Sequence, residues 1–132
     1  MLFRSFEKFW QEILANTSPC GKYIKHGEVL LRFKKKEENI LKVREIISFD
    51  AMQSNKTMIF LTNLADKHNV TIIGEPKSFI VGPTITKDQT FRSGMTTEKI
   101  IKWYKYYGGE LQTDEDGKQI MIRRPKNGNQ IN

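Results

Sequence analysis

The fold is decided by the stretch TTEKIIKWYKYYGG, residues 96–109, and by the segment IMIRRP, residues 120–125. Thr96 is a suitable N-cap residue. Apolar side chains then recur at the three- and four-residue spacing of an amphipathic helix, at Ile100, Trp103, Tyr104 and Tyr107. Gly108 is suited to the left-handed position that ends many helices, and Asp116-Gly117 is a strong hairpin turn. The stretch therefore predicts a final helix followed by a two-stranded ribbon.

The rest of the chain predicts further helices and strands by the same kind of spacing. In order these are a helix over about residues 2–15, strands over about 28–35 and 39–49, a helix ending near Asn69, and a strand over 70–73. Tyr23 and Ile24 are candidates for one further short strand. Residues 50–57 are predicted to be irregular, and residues 80–95 to form a long loop. The strand–helix–strand order predicts a parallel βαβ unit.

These elements predict an α+β domain, with a mixed β-sheet flanked by helices in the order α-β-β-α-β-α-β-β. We expect a single domain over residues 1–125 and a flexible C-terminal tail over residues 126–132.

Composition limits the classes of function. A single cysteine, Cys20, excludes an internal disulfide and a cysteine-built zinc site, and His26 and His68 stand alone, so we expect no metal. No apolar run approaches the ~20 residues of a membrane span, so we expect a cytoplasmic protein with no membrane partner. The net charge of +7 favours an acidic partner, although the basic residues are spread along the chain.

From Asn39 to Pro125 the order of elements and several letters resemble the GNAT superfamily of acyl-coenzyme A N-acyltransferases, in the style of its short phage-type members. The segment LTNLADKHNVT, residues 61–71, resembles the helix that follows the family's cofactor loop and runs into its fifth strand. The stretches quoted first resemble the family's final helix and hairpin.

The resemblance implies a site for acetyl-CoA and an amine acceptor. The cofactor would lie between the fourth and fifth strands, with its thioester on fourth-strand backbone near Ile47 and Phe49. Its pyrophosphate would bind at the start of the next helix, where unpaired N–H groups and the helix dipole favour an anion, over Gln53, Ser54, Asn55, Lys56 and Thr57. Tyr104 would be the general acid for the departing thiolate. Glu45, directly or through water, would be the general base for the amine.

The chain departs from the family's pattern at the phosphate loop, because residues 50–57 contain no glycine. Glycine in that loop lets the backbone approach the phosphates closely.

The role of Glu45 has an alternative as well, since a strand glutamate beside Arg44 and Lys42 fits a surface ion pair. Strand alternation predicts that Glu45 points inward if Val43, Ile47 and Phe49 do.

Three functions therefore stay open. The first is an N-acyltransferase that moves an acetyl group from acetyl-CoA to an amine. The second is a catalytically inactive GNAT-like protein that binds another protein, such as a phage inhibitor or a virion component, and the missing glycines favour it. The third is a basic nucleic-acid-binding module, in which Lys99, Lys102 and Lys105 alternate with aromatic residues. The helical spacing of those aromatic residues favours a core role instead.

Overall fold

The computed structural model describes residues 5–48, 51–76, 79–81 and 97–126. Its elements, in chain order, are α1 Ser5–Ala15, β1 Ser18–Cys20, β2 Tyr23–His26, β3 Val29–Glu37, β4 Ile40–Ser48, α2 Ala51–His68, β5 Thr71–Gly74, β6 Phe79–Val81, α3 Thr97–Tyr106, β7 Glu110–Thr113 and β8 Gln119–Arg123.

The described strands form one mixed sheet. Along the sheet the order is β1-β2-β3-β4-β5-β8-β7, and β6 lies beside the end of β4. β4 and β5 are parallel, with Ile40–Val43 paired to Thr71–Gly74. The last strand, β8, lies antiparallel between β5 and β7. The predicted α+β class with a mixed sheet is confirmed, and so is the parallel βαβ unit formed by β4, α2 and β5.

Three short strands are additional to the predicted order. β1 and β2 precede the first predicted strand, although Tyr23 and Ile24 had been candidates for one of them. β6 lies at the beginning of the predicted long loop, and residues 82–96, with the predicted cap Thr96, lie outside the described residues. β1 and β6 have three residues each, too few to give a readable alternation.

The helices pack against one face of the sheet. One core cluster joins apolar side chains of α1, α2 and α3 to strand residues that include Leu31, Val43, Ile72 and Met121. Neighbouring strand residues such as Leu30, Lys42, Ile73 and Ile122 alternate with these and are less buried. We call the side of the sheet that they occupy the distal face. No helix of the described ranges covers it.

A β-bulge interrupts the alternation of β4. Arg32 of β3 pairs with Glu45, and the next residue, Phe33, pairs with Val43, so Arg44 has no partner on β3. Val43 and Ile46 are both buried against the helices. The extra residue therefore shifts the inward positions of β4 by one beyond the bulge.

The beginning of α2 differs from the prediction. Residues 50–57 were predicted to be irregular, whereas α2 begins at Ala51 and includes Gln53 to Thr57. Polar residues such as Ser and Asn have weak intrinsic helix preference. Here Ser54 and Thr57 are each 1% exposed, and Asn55 accepts hydrogen bonds from Trp103 of α3 and from Tyr107 just after it. Tertiary contacts thus impose a helix that the local sequence does not favour.

The predicted helix ends and turn are confirmed. Asn69, after α2, and Gly108, after α3, have φ angles of 59° and 96°. Gly117 in the last turn has a φ of 82°. Gly109 is required for a different reason, since a Cβ atom there would lie 2.0 Å from the Tyr104 ring. The backbone that follows α3 therefore packs directly against the ring of Tyr104.

A buried arginine joins β8 by hydrogen bonds to α2 and to the residue that follows α3. Arg123 is 3% exposed, and its guanidinium donates two hydrogen bonds to the Asp66 carboxylate, at 2.8 and 3.0 Å. Arg123 Nε also donates to the carbonyl of Tyr107. Asp66 accepts a further bond from the backbone N–H of Lys126, at 2.7 Å. Lys126, placed in the tail by the sequence prediction, is thereby tied to α2.

Replacing Asp66 with alanine should destabilise the protein by about 3–5 kcal/mol, because a buried guanidinium would lose its counter-charge. The control is Arg124→Ala, which removes an exposed ion pair with Glu110 and should cost less than about 1 kcal/mol. Urea unfolding of both variants measures the difference. Equal costs for the two would contradict the assigned role of the Asp66–Arg123 pair.

Candidate functional site

Tyr104, the predicted general acid, lies in the core. Its side chain is among the largest that are fully buried, at 1% exposure. The hydroxyl donates a hydrogen bond of 3.0 Å to the carbonyl of Ile72 on β5. Burial raises the pKa of this phenol, and only partial compensation comes from the nearby charge of Arg123. In this structure the hydroxyl therefore joins α3 to the sheet and does not open onto a cleft.

Glu45, the predicted general base, is held in an ion pair on the distal face. Its carboxylate accepts a 2.8 Å bond from Arg32 Nε and longer bonds, at 3.2 and 3.3 Å, from the Tyr23 hydroxyl. Partial burial raises the pKa of Glu45, but the hydrogen bonds from Arg32 and Tyr23 outweigh it and hold the pKa below its usual value. A carboxylate with a lowered pKa is a weak proton acceptor.

The predicted acid and base are separated by the sheet. Tyr104 belongs to the core on the helix side, whereas the partners of Glu45 lie on the distal face. The bulge at Arg44 is the reason, because it breaks the alternation on which the inward prediction for Glu45 rested. Glu45 therefore lies on the distal face with Ile47, while Val43 points inward, so the condition on which its inward direction depended is not met.

The predicted phosphate-binding segment is the first part of α2, and most of its side chains point towards other parts of the protein. The Thr57 hydroxyl lies 2.8 Å from His26 Nδ1, and burial lowers the pKa of His26. Asn55 Oδ1 accepts from Trp103 Nε1 at 2.7 Å and from the Tyr107 hydroxyl at 2.9 Å. Ser54 is buried, Gln53 is half-buried, and Lys56 is exposed.

The backbone edge predicted to hold the thioester is already paired. Residues 46–48 of β4 pair in parallel with Phe79–Val81 of β6. On the other side of β4, Ile46 and Ile47 pair with Leu31 and Leu30 of β3. Ile47 is half-buried, and Phe49 lies outside the described residues. The segment of β4 that the resemblance assigns to acyl-CoA thus has a strand on each side.

The fold gathers basic side chains that are scattered in sequence. Lys34 of β3 and Lys42 of β4 are direct cross-strand partners. Lys36 and Lys42 line the same depression of about 150 Å³, together with Ile73 and Ile120 of the distal face and the charged residues Glu75, Asp114 and Lys118. Arg44 is exposed at the bulge beside them. We call Lys34, Lys36, Lys42 and Arg44 the basic row.

The basic row is not visible in the sequence, because its members come from two different segments of the chain. Lys34-Lys35-Lys36 gives no sign of which lysines share a face until strand alternation is applied. Lys35 points the other way, with its ammonium 5.0 Å from the centre of the Phe6 ring. The pairing register of β3 with β4 then brings Lys42 beside Lys34.

Two further observations concern metals and membranes. Among the residues that the structure describes, no group of three or more His, Cys, Asp or Glu side chains is arranged to hold a metal ion. No helix within the same ranges is long and apolar enough to cross a membrane.

Comparison with known proteins gives no family. The chain matches no protein-family model, and neither a curated protein nor a solved structure is significantly similar to it.

Replacing Asn55 with alanine should lower the free energy of unfolding by about 2 kcal/mol, because two partly buried donors lose their shared acceptor. Asn63→Ala on the same helix is the control. Asn63 is exposed, and alanine is the better helix former, so this variant should be neutral or slightly stabilising. Asn55→Asp keeps an acceptor oxygen and should recover most of the loss. An unchanged midpoint of urea unfolding for Asn55→Ala would contradict a structural role and leave Asn55 available for a ligand.

Proposed function

We propose that this chain is a catalytically inactive binding protein with a GNAT-like scaffold. The observation that carries the proposal is the pairing of β6 with residues 46–48 of β4. A thioester can bond to that edge only after β6 leaves it, because each backbone N–H and C=O has a limited number of partners.

The groups that catalysis would need also support the proposal. A general acid has to come within hydrogen-bond reach of the leaving group, and Tyr104 is fully buried with its hydroxyl bonded to Ile72. Glu45 is occupied by Arg32 and Tyr23. The first turns of α2 carry no glycine, and buried Ser54 and Thr57 pack inward.

The second candidate is the N-acyltransferase, with acetyl-CoA as cofactor and an amine of unknown identity as acceptor. The observation in its favour is that β4 pairs with β5 only as far as Val43 and Gly74. The two strands then separate, and the resemblance assigns the cofactor to such a separation. In this candidate β6 has to be displaced before the cofactor binds.

Calorimetric titration with acetyl-CoA up to about 1 mM separates the two candidates, since that range detects even weak complexes. We expect no heat of binding from the natural chain. We expect none from Ile80→Pro either, a variant that weakens the β6–β4 pairing because proline lacks the N–H of a ladder position. Circular dichroism confirms that each protein is folded.

Saturable binding of acetyl-CoA to the natural chain would overturn the proposal in favour of the enzyme. Saturable binding to Ile80→Pro alone would overturn it as well, because it would mean that the scaffold keeps a cofactor site under β6.

A further inference from the structure

The basic row carries a charge arrangement that is unfavourable in the free protein. Lys34 and Lys42 lie directly opposite each other on antiparallel strands, where Cβ atoms are ~5 Å apart and like charges are destabilising. Lys36 lies close to the same point, since it shares a depression with Lys42.

No charge of the row is in an ion pair with a described residue. Glu75 and Asp114 line the depression that Lys36 and Lys42 share, but Glu75 is paired with Lys118 and Asp114 accepts backbone hydrogen bonds of its own turn. Within the described ranges, the basic residues of β3 and β4 that form ion pairs are Arg32, with Glu45, and Lys35, with Glu38. Lys34, Lys36, Lys42 and Arg44 form no ion pair with the described residues. Four positive charges on two adjacent strands are therefore available to an anionic partner.

The spacing of the row suits a linear polyanion. Lys34 and Lys42 face each other on neighbouring strands that lie ~4.8 Å apart. Lys36 and Arg44 lie at the register shifts on either side of this pair, so the four cations follow one another along a short stretch of β3 and β4. The phosphates of a nucleic acid form a regular line of negative charge.

A protein partner fits the row less well. The centres of protein–protein interfaces are depleted in lysine and enriched in aromatic residues, whereas this row places lysines at its centre. Protein surfaces that bind nucleic acid are more polar and much more positive. The sequence pI of about 9.5 and the clustering of Lys and Arg on one face both agree with that class.

We infer that the distal face binds the phosphate backbone of nucleic acid through Lys34, Lys36, Lys42 and Arg44, without reading the base sequence. Tyr23 is the described aromatic residue beside the row, and its hydroxyl is bonded to Glu45, so no platform for base stacking is built there. The inference names a partner for the proposed binding protein and rests on that function. It differs from a site on α3, because α3 lies on the opposite side of the sheet.

The test is binding of a fluorescently labelled DNA duplex of mixed sequence to the full chain, measured by anisotropy over a range of salt concentrations. The natural chain should bind, with a logarithmic slope of affinity against salt of roughly −3 to −4 for four phosphate contacts. Lys34→Gln/Lys42→Gln should weaken binding by ~10-fold or more and reduce the steepness of the slope by ~2. An unrelated duplex of the same length should bind equally well.

The matched control is Lys102→Gln/Lys105→Gln, which removes the same charge from exposed positions of α3. It should change affinity less than about twofold, because these two lysines do not contact the DNA and salt screens their longer-range attraction to it. A structural readout separates binding from folding. Lys42→Gln should unfold at a higher urea concentration than the natural chain, since it removes like-charge repulsion, while it binds DNA more weakly.

Three results would overturn the inference: no binding of duplex by the natural chain at low salt, equal weakening by the two double variants, or displacement of duplex by poly-glutamate as effectively as by unlabelled DNA of equal charge. The last result would assign the face to acidic protein. Acetyl-CoA binding in the calorimetric test would overturn the proposed function alone and leave the comparison of the two double variants unchanged.

Discussion

The structure depends on how β4 divides one of its edges between two strands. Its first half pairs with β5, and its last residues pair with β6, while β3 follows the other edge. A backbone edge forms one ladder at a time. β5 therefore pairs with β4 only as far as Val43. At residues 46–48 the same edge of β4 is paired with β6, so it is not vacant for a cofactor.

Hydrogen bonds inside the protein also occupy several polar side chains of α2, α3 and β8. Tyr104, Asn55 and Arg123 each join a helix to another element through hydrogen bonds inside or at the margin of the core. Polar groups that hold a core together are costly to release, because breaking them leaves buried donors without partners. The basic row lies on the distal face instead, and its four side chains form no ion pair with the described residues.

Much of the fold follows from local signals. The helix at residues 97–106, its stop at Gly108 and the turn at Gly117 are each specified by residues close in sequence. The beginning of α2 is different, because Ser54, Asn55 and Thr57 become helical through contacts with distant elements. The bulge at Arg44 and the pairing of Lys34 with Lys42 depend on strand register, which one sequence does not reveal. The candidate site is therefore harder to predict than the fold, since the resemblance supplied residue types but not which face of the sheet each one occupies.

Amide hydrogen exchange at Phe79–Val81 tests the central claim most directly, because it reports whether β6 is held on β4 in solution. Our account predicts that at least one amide of this segment exchanges far more slowly than in an unstructured chain, and that acetyl-CoA changes nothing. Exchange at unstructured rates throughout Phe79–Val81, together with new protection of residues 46–48 on addition of acetyl-CoA, would contradict it.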